Sequence, residues 1–311
     1  MSTQPRYDFR IGIDLGGTKT EVAALAPDGA LLHRHRVPTP PAYPDALQGM
    51  ADMVHELEAR MGGTGSVAVG IPGVISPDTG LVKNANTIAL NGHPFDRDLA
   101  QVLRREVRVE NDANCFALSE AADGAGAGHG VVFGVILGTG CGGGIVVDGR
   151  VLRGRNRVAG EWGHTPLPWP QPHEQPGRLC WCGHYNCLET WLAGPGLARD
   201  CDGGEARDAT SIPGRAASGE TRAREALARH ADRLARGLAV IVNILDPDII
   251  VLGGGLSNME HLYEEVPRLM KPYVFSDFVR TPVVKNMHGD SSGVRGAAWL
   301  WPAPSAREAK A

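Results

Sequence analysis

The sequence predicts an α/β fold made of two similar halves, and three observations lead to this prediction. Strand-like and helix-like segments are mixed along the chain, as in α/β proteins. Each half opens with an apolar strand that runs into a glycine-rich turn, at residues 10–20 and again at 131–144. The length of 311 residues is about twice that of a common single domain. We therefore expect a cleft between two halves, with both turns at a ligand.

The first strand covers residues 10–15, because apolar and other residues alternate there with a period of two. This alternation places Asp14 on the face opposite the apolar side chains, at the carboxyl end of the strand. The other elements predicted for the first half are strands at 21–26, 30–37, 66–71 and 107–110 and helices at 44–61, 96–106 and 113–122.

The second half repeats this layout without an exact sequence repeat. Strands are predicted at 131–137, 142–147 and 248–252, and a final helix at 294–301. Apolar residues from Leu227 to Leu245 recur at spacings of three and four, which predicts a long amphipathic helix. Residues 153–189 are irregular, and the polar, glycine-rich stretch at 201–220 is predicted to be a flexible surface excursion.

Composition and charge exclude several classes of protein. The net charge of −4 argues against a general nucleic-acid binder. The first ten residues lack the apolar core of a secretory signal, and no run of 18 apolar residues predicts a membrane span. Six cysteines in a chain of this size do not indicate a disulfide framework. We therefore expect a soluble, cytoplasmic protein with no membrane partner.

Three glycine-rich turns at strand ends predict a nucleotide held by backbone N–H groups. In the first turn, Gly16 and Gly17 let the backbone approach an anion, and Thr18 and Lys19 add donors. This turn matches neither the P-loop nor the dinucleotide-binding fingerprint. The second turn has five glycines among residues 138–144, and the third is 253–255. Taken singly, the first turn could be a plain hairpin and the third a helix-entry loop.

Three cysteines within eight residues predict a metal site. Cys180, Cys182 and Cys187 offer three thiolates, and a tetrahedral zinc site needs four nitrogen or sulfur ligands. The candidates for the fourth ligand are His164, His173 and His184. With four protein ligands such a site would be closed, and therefore structural.

Four carboxylates lie near these motifs, and each also has a simpler interpretation. Asp112 stands between a strand and a helix, where it could serve only as a helix N-cap. Glu161 and Glu189 are near the cysteine loop but could be surface charges, and Asp14 could be a solvated residue at a strand end.

Taken in order, the motifs resemble the signature set of the ROK family of sugar kinases and repressors. The matching segments are 14–19, 110–114, 137–140, 160–164, 180–189 and 251–255. Four further segments resemble the bacterial manno(fructo)kinase subgroup: 82–86, 91–92, 243–248 and 288–301. One departure is the stretch between His164 and Cys180, which is longer and richer in proline than in many relatives.

The resemblance implies an actin-like (ribonuclease-H-like) two-domain sugar kinase fold with ATP in a central cleft. It implies a smaller N-terminal α/β domain of residues 1–115 and a larger C-terminal α/β domain of residues 116–293 that carries the zinc loop. A C-terminal helix at about 294–311 would pack back on the smaller domain. The cofactors implied are ATP, Mg²⁺ and structural Zn²⁺, and the partners are a hexose, ATP and a second copy in a homodimer.

The activity implied is ATP-dependent phosphorylation of a hexose at its 6-hydroxyl, with Asp112 as the general base. D-Fructose is the first expectation and mannose the second. The alternatives are a glucokinase, an N-acetylhexosamine kinase or a non-catalytic sugar-binding module. A repressor is not expected, because only 13 residues precede Asp14, too few for a DNA-binding domain.

The resemblance also assigns residues to each ligand. The sugar contacts implied are Asn86, Asn111, Asp112, Glu161, His164 and Glu189. The nucleotide and Mg²⁺ contacts implied are Asp14, Gly16, Gly17, Thr18, Lys19, Gly138, Thr139, Gly140, Gly253, Gly254 and Gly255. The zinc ligands implied are His164, Cys180, Cys182 and Cys187.

Overall fold

The structure is a computed structural model that describes residues 7–85 and 88–303. Asn86, one of the predicted sugar contacts, lies outside the described residues. The strands are β1 (Phe9–Leu15), β2 (Lys19–Leu25), β3 (Leu31–Pro38), β4 (Gly65–Ile71), β5 (Val74–Ile75), β6 (Val82–Lys83), β7 (Val107–Asn111), β8 (Val131–Leu137), β9 (Cys141–Val147), β10 (Arg150–Val151), β11 (Ile249–Gly253) and β12 (Val283–Lys285). The helices are α1 (Tyr43–Met61), α2 (Phe95–Leu103), α3 (Asp112–Asp123), α4 (Glu189–Leu192), α5 (Gly194–Asp202), α6 (Ile212–Ala217), α7 (Thr221–Leu245), α8 (Leu262–Met270) and α9 (Ser292–Trp299).

The described residues divide into two compact units, each with its own hydrophobic core. The first unit contains residues 7–85, 88–123, 153–159 and 290–303, and the second contains 124–152 and 160–289. The sequence placed the boundary after residue 115. The structure keeps the whole of α3 in the first unit, because one face of this continuous helix packs on α9.

The sheet of the first unit brings the ends of three parallel strands together. Its order is β3-β2-β1-β4-β7, with antiparallel pairing from β3 to β1 and parallel pairing from β1 to β7. In this register Asp14 pairs with Gly70, and Gly70 pairs with Glu110. Asp14 and Glu110 therefore lie in one row at the carboxyl edge of the sheet, where ligands commonly bind in α/β proteins.

The helix α9 packs against the face of β1 that carries Asp14. A Cβ on Gly12 would lie 1.9 Å from the carbonyl oxygen of Val294, so only glycine permits this close approach. On the same face, the guanidinium of Arg10 stacks 4.1 Å from the centroid of the Trp299 ring. The period-two alternation predicted the two faces of β1. The face that carries Asp14 is covered by α9 rather than by water.

The second unit repeats the strand arrangement of the first. Its sheet order is β10-β9-β8-β11-β12, again with two antiparallel pairings followed by two parallel ones. This shared topology is the structural basis of the two similar halves predicted from the sequence. Ile136 pairs with Gly253, so the turns that follow β8 and β11 leave the same edge of this sheet.

One prediction about the second unit is wrong. Within the stretch 201–220, which was predicted to be a surface excursion, Ala209, Ile212 and Ala216 are buried in the hydrophobic core. The short helix α6 supplies two of these side chains, and its apolar residues are too few to produce a visible helical period. Among the described helices, none combines the length and apolar character that a membrane span requires.

Candidate active site and metal centre

The first glycine-rich turn is a tight hairpin between β1 and β2. The Gly16 amide donates to the carbonyl oxygen of Lys19 over 3.0 Å, and the Thr39 hydroxyl donates to the carbonyl oxygen of Gly16 over 2.8 Å. Gly17, Thr18 and Lys19 are exposed at the tip. The hairpin interpretation therefore holds, and the same exposed tip offers backbone and side-chain donors to an anion.

Asp14 lies at the end of β1, where a Cβ on Gly293 would stand 2.9 Å from its Oδ2 atom. Burial raises the pKa of Asp14 to about 6, and the Glu21 carboxylate raises it further while Arg36 opposes the shift. Desolvation disfavours the charged form of a carboxyl group, which accounts for the direction. Asp14 is thus a partly buried carboxyl group that a cation would stabilise in its charged form.

This shift predicts a pH-dependent gain in stability for Asp14→Asn. A carboxyl group whose pKa is raised on folding retains a proton that the unfolded chain releases, so its contribution to stability falls as pH rises from about 4 to about 6. We expect Asp14→Asn to stabilise the ligand-free protein by up to about 3 kcal/mol at pH 8 and to change it little at pH 4. Urea unfolding at both pH values measures the difference, with the exposed residue Asp78 changed to Asn as control. Equal effects of Asp14→Asn at pH 4 and pH 8 would contradict the prediction.

Asn111, rather than Asp112, caps the helix that follows β7. The Asn111 Oδ1 atom accepts the amides of Ala113 and Asn114 over 2.9 and 3.3 Å, and its Nδ2 atom donates to the carbonyl oxygen of Gly73. Asp112 is the first residue of α3, and its Oδ1 atom accepts the Ala113 amide over 2.8 Å. The simpler interpretation of Asp112 as the N-cap is therefore corrected.

The side chain of Glu110 stabilises the start of α3. Its buried carboxylate accepts the Asn111 amide and the Asn114 side-chain amide at one oxygen, both over 3.0 Å. The other oxygen accepts a charged hydrogen bond from Arg153. Sequence reasoning missed Arg153, which belongs to the irregular stretch after β10. No local signal could have found it, since the pair is separated by 43 residues.

A cavity of about 430 Å³ lies within the first unit beside this loop. This size is within the range of small-molecule sites. Its lining includes the apolar residues Ile71, Val74 and Ile75 and the polar residues Asn111 and Arg153. The cavity therefore adjoins a predicted sugar contact.

In the second unit, hydrogen bonds from the backbone and from a side chain hold the turn at 138–140 in place. The Gly138 carbonyl oxygen accepts the amide of Gly194 at the start of α5, over 2.8 Å. Glu189, the first residue of α4, accepts the Cys141 amide at Oε2 over 3.0 Å. Gly254 adopts φ +80°, and a Cβ there would lie 2.5 Å from the Leu137 carbonyl oxygen, so this position requires glycine. Gly138, Thr139, Gly253 and Gly254 thus meet at one edge of the sheet.

The cysteine loop gathers four ligand atoms of the kinds that zinc prefers. The ligand atoms of His164, Cys180, Cys182 and Cys187 all lie within 4.8 Å of one another. The Cys182 and Cys187 sulfurs are 3.6 Å apart, and the His164 Nδ1 atom is 3.7 Å from the Cys180 sulfur. Tetrahedral zinc with ordinary bond lengths would place two sulfurs ~3.8 Å apart and a sulfur and a nitrogen ~3.6 Å apart. The donor set and spacing therefore fit a closed zinc site.

Of the three candidate histidines, the structure brings His164 into this four-ligand set. The Nδ1 atom of His184 lies 3.6 Å from the Cys182 sulfur, and His173 lies in the separate 3₁₀ turn Pro172–Glu174. His164 and Glu161 belong to one short segment, because the 3₁₀ turn Trp162–His164 follows Glu161 directly. Glu161 is exposed, and the His164 amide donates to its carbonyl oxygen.

Comparison with known proteins identifies the class to which this fold and these turns belong. A model of the ROK family matches residues 10–303, so the chain belongs to the ROK family. A ROK hexokinase from Thermus thermophilus superposes with a TM-score of 0.82 at 30% identity, over 94% of this chain and 97% of that one. The predicted actin-like α/β fold is therefore confirmed.

The relatives include kinases named for N-acetyl-D-glucosamine and a kinase named for glucose. An N-acetyl-D-glucosamine kinase from Pectobacterium atrosepticum is 41% identical over 296 residues, which cover 93% of this chain and 97% of the relative. One from Vibrio cholerae is 43% identical, with 93% and 98% covered. A glucokinase from Streptomyces griseus, solved with glucose and AMPPNP, superposes with a TM-score of 0.76 at 28% identity, over 94% and 98%.

Proposed function

We propose that this protein is an ATP-dependent sugar kinase whose substrate is N-acetyl-D-glucosamine. The observation that carries the kinase assignment is the placement of Asp112 at the first turn of α3, in a loop that Asn111 and Glu110 hold at the carboxyl edge of the sheet. The choice of sugar rests on relatives of 41% and 43% identity that are N-acetyl-D-glucosamine kinases.

The first expectation from the sequence was fructose. The proposed substrate belongs instead to one of the stated alternatives, an N-acetylhexosamine kinase. The segments that resembled manno(fructo)kinases are short, whereas the N-acetyl-D-glucosamine kinases match 93% of the chain. An N-acetyl group needs an apolar surface for its methyl group. We propose that Val74 and Ile75, which are partly exposed, supply this surface in the cavity that Asn111 also lines.

In the proposed mechanism, Asp112 accepts the proton of the attacking sugar hydroxyl. Phosphoryl transfer depends mainly on positioning and on stabilisation of charge, so the first requirement is a carboxylate held in place. The cap at Asn111 and the ion pair between Glu110 and Arg153 supply this rigidity. The residues proposed to hold the sugar are Asn86, Asn111, Asp112, Glu161, His164 and Glu189.

Backbone amides are proposed to bind the phosphates of ATP. At the first turn the exposed residues Gly17, Thr18 and Lys19 offer amides, whereas the Gly16 amide is bonded to the Lys19 carbonyl oxygen. The turns at 138–140 and 253–255 are proposed to offer others. Asp14 is proposed to orient Mg²⁺ through water, because Mg²⁺ commonly retains several waters when few carboxylates are present. Bound Mg²⁺ would neutralise phosphate charge during the transfer.

The test is release of ADP with Mg-ATP and each of five sugars: N-acetyl-D-glucosamine, N-acetyl-D-mannosamine, glucose, fructose and mannose. We expect the highest kcat/KM with N-acetyl-D-glucosamine, and ADP release about 1,000-fold slower with the Asp112→Asn variant. A preference for glucose or fructose would retain the kinase and refute the choice of sugar. No turnover with any sugar would favour a non-catalytic sugar-binding module.

Removal of zinc should weaken sugar binding before it weakens nucleotide binding. His164 is one of the proposed zinc ligands, and Glu189 follows the cysteine loop directly. Both are proposed sugar contacts, and zinc would hold these segments in one conformation. We expect a chelated sample to show a KM for the sugar about 10-fold higher and an unchanged affinity for ATP. Steady-state kinetics and nucleotide titration measure the two effects, and restoring zinc should reverse the first. A chelated protein with full sugar affinity would refute the prediction.

A further inference from the structure

Trp181 occupies an unusual place on the cysteine loop. It stands between two proposed zinc ligands, Cys180 and Cys182, and its side chain is 64% exposed. Its ring nevertheless has specific contacts: it packs edge-on against the His164 ring, with centroids 5.0 Å apart. The indole Nε1–H donates to Glu189 Oε1 over 2.7 Å. Burial of apolar surface therefore does not explain this residue, whereas its two partners are both proposed sugar contacts.

Glu189 is the residue on which these contacts converge. Its Oε1 atom accepts the Trp181 indole, and its Oε2 atom accepts the Cys141 amide from the start of β9. A Cβ on Gly140 would lie 2.9 Å from Oε2, so glycine there permits this close approach. The two donors come from different elements and hold opposite ends of one carboxylate. Such a carboxylate cannot rotate without breaking a hydrogen bond.

We propose that Trp181 is a positioning residue that orients the Glu189 carboxylate toward the sugar. An ionised carboxylate offers about four acceptor positions. The two protein donors leave the remaining ones for sugar hydroxyls. Because the carboxylate is oriented before the sugar arrives, binding does not have to restrict it further. This inference rests on the proposed function, since it gives Glu189 a sugar as its ligand.

The arrangement also connects the metal centre to Glu189. The indole is fixed between Cys180 and Cys182, so the conformation of the metal loop determines where its N–H points. Glu189 then connects this loop to Cys141, the residue that follows the turn at 138–140. Trp181 is thus the contact through which the metal loop acts on a proposed sugar ligand.

The kinetic test compares Trp181→Phe, which retains a ring but loses the N–H, with Trp181→Gln, which restores a donor of similar reach. We expect Trp181→Phe to raise the KM for the sugar about 10-fold, because a hydrogen bond to a charged group is lost. Its kcat, KM for ATP and metal content should stay within about twofold of the wild type. Trp181→Gln should recover most of the loss. Tyr185→Phe, at another exposed position of the same loop, should behave as the wild type.

A spectroscopic measurement separates this proposal from the proposed function. In the full-length protein, the indole N–H resonance that disappears in Trp181→Phe should shift in Glu189→Gln, because the charged acceptor becomes neutral. An unmoved resonance would refute the contact, whatever the enzyme phosphorylates. A wild-type KM in Trp181→Phe, or equal losses in the Phe and Gln variants, would refute the positioning role. If the wild type phosphorylates no sugar while the resonance shifts as expected, the proposed function fails and the contact stands.

Discussion

Asp112→Asn should lower kcat by about 1,000-fold, within the range that a positioned general base contributes. The amide has the same shape as the carboxylate and can still accept the Ala113 amide through Oδ1. It cannot accept a proton from the sugar hydroxyl at neutral pH. The KM for the sugar should change by less than about threefold, because the loss arises only in the transition state. Single-turnover and steady-state rates with N-acetyl-D-glucosamine measure the effect.

The matched control is Asp78→Asn, which makes the same chemical change at an exposed position of the same unit. It should leave kcat within about twofold of the wild type. Thermal unfolding of Asp112→Asn should also match the wild type, since Asn111 holds the helix cap. A folded Asp112→Asn protein that retains a tenth or more of the wild-type kcat would refute the role of Asp112 as the base.

Glu174→Gln should destabilise the second unit by about 3 kcal/mol, the lower end of the range found when one partner of a buried ion pair is removed, because each arginine keeps a second carboxylate partner. Glu174 is 2% exposed, and its carboxylate accepts hydrogen bonds from both Arg233 and Arg236 of α7. Arg236 also donates to the carbonyl oxygens of Pro168 and Trp169. This network fastens the proline-rich stretch between His164 and Cys180 to α7. A neutral residue at 174 would remove the carboxylate that the two buried arginines share and leave each with one acidic partner, Asp200 for Arg233 and Asp232 for Arg236.

The loss should appear as a lower midpoint in thermal unfolding, by about 10 °C for a unit of this size. Glu260→Gln serves as control, because Glu260 pairs with Lys285 at the exposed surface and such pairs contribute little. An unchanged midpoint in Glu174→Gln would show that the network makes no net contribution to the stability of the folded protein.

The same network predicts how stability depends on acid. Burial alone would raise the pKa of Glu174, but the hydrogen bonds from Arg236 and Arg233 outweigh it and lower the pKa from 4.5 to about 2. A carboxyl group with a depressed folded pKa contributes stability that is fully present above its unfolded pKa and is lost as pH falls. The wild type should therefore lose stability between about pH 4.5 and pH 2 more steeply than Glu174→Gln.

Local patterns in the sequence predicted much of the fold. The alternation in β1 placed Asp14 opposite the apolar face, and the spacing from Leu227 to Leu245 predicted α7. These signals succeed because each depends on residues only two to four positions apart. The helix α8 was missed, although Leu262, Val266 and Met270 recur at a spacing of four and are all buried.

Tertiary contacts decided several features of the candidate site. The three cysteines left His164, His173 and His184 as candidates for the fourth ligand, and only the family resemblance favoured His164. The structure brings His164 to the cysteines although 16 residues separate it from Cys180. The motif around Asp112 was compatible with a helix cap or a general base. The hydrogen bonds of Asn111 show that Asn111, not Asp112, caps the helix. The sequence did not predict the contact between Trp181 and Glu189. The donor and the acceptor are eight residues apart in an irregular loop, where no periodic pattern relates them.

By itself the sequence determined the α/β class, the elements with clear periodicity, the three glycine turns, the set of candidate ligands and the ROK family resemblance. Only the tertiary structure decided the shared topology of the two sheets, the partner of Glu110 and the burial of Glu174 between two arginines. Secondary structure follows mainly from neighbours along the chain. A buried ion pair such as Glu174 with Arg236 joins residues 62 positions apart, and it forms because packing removes both groups from water together.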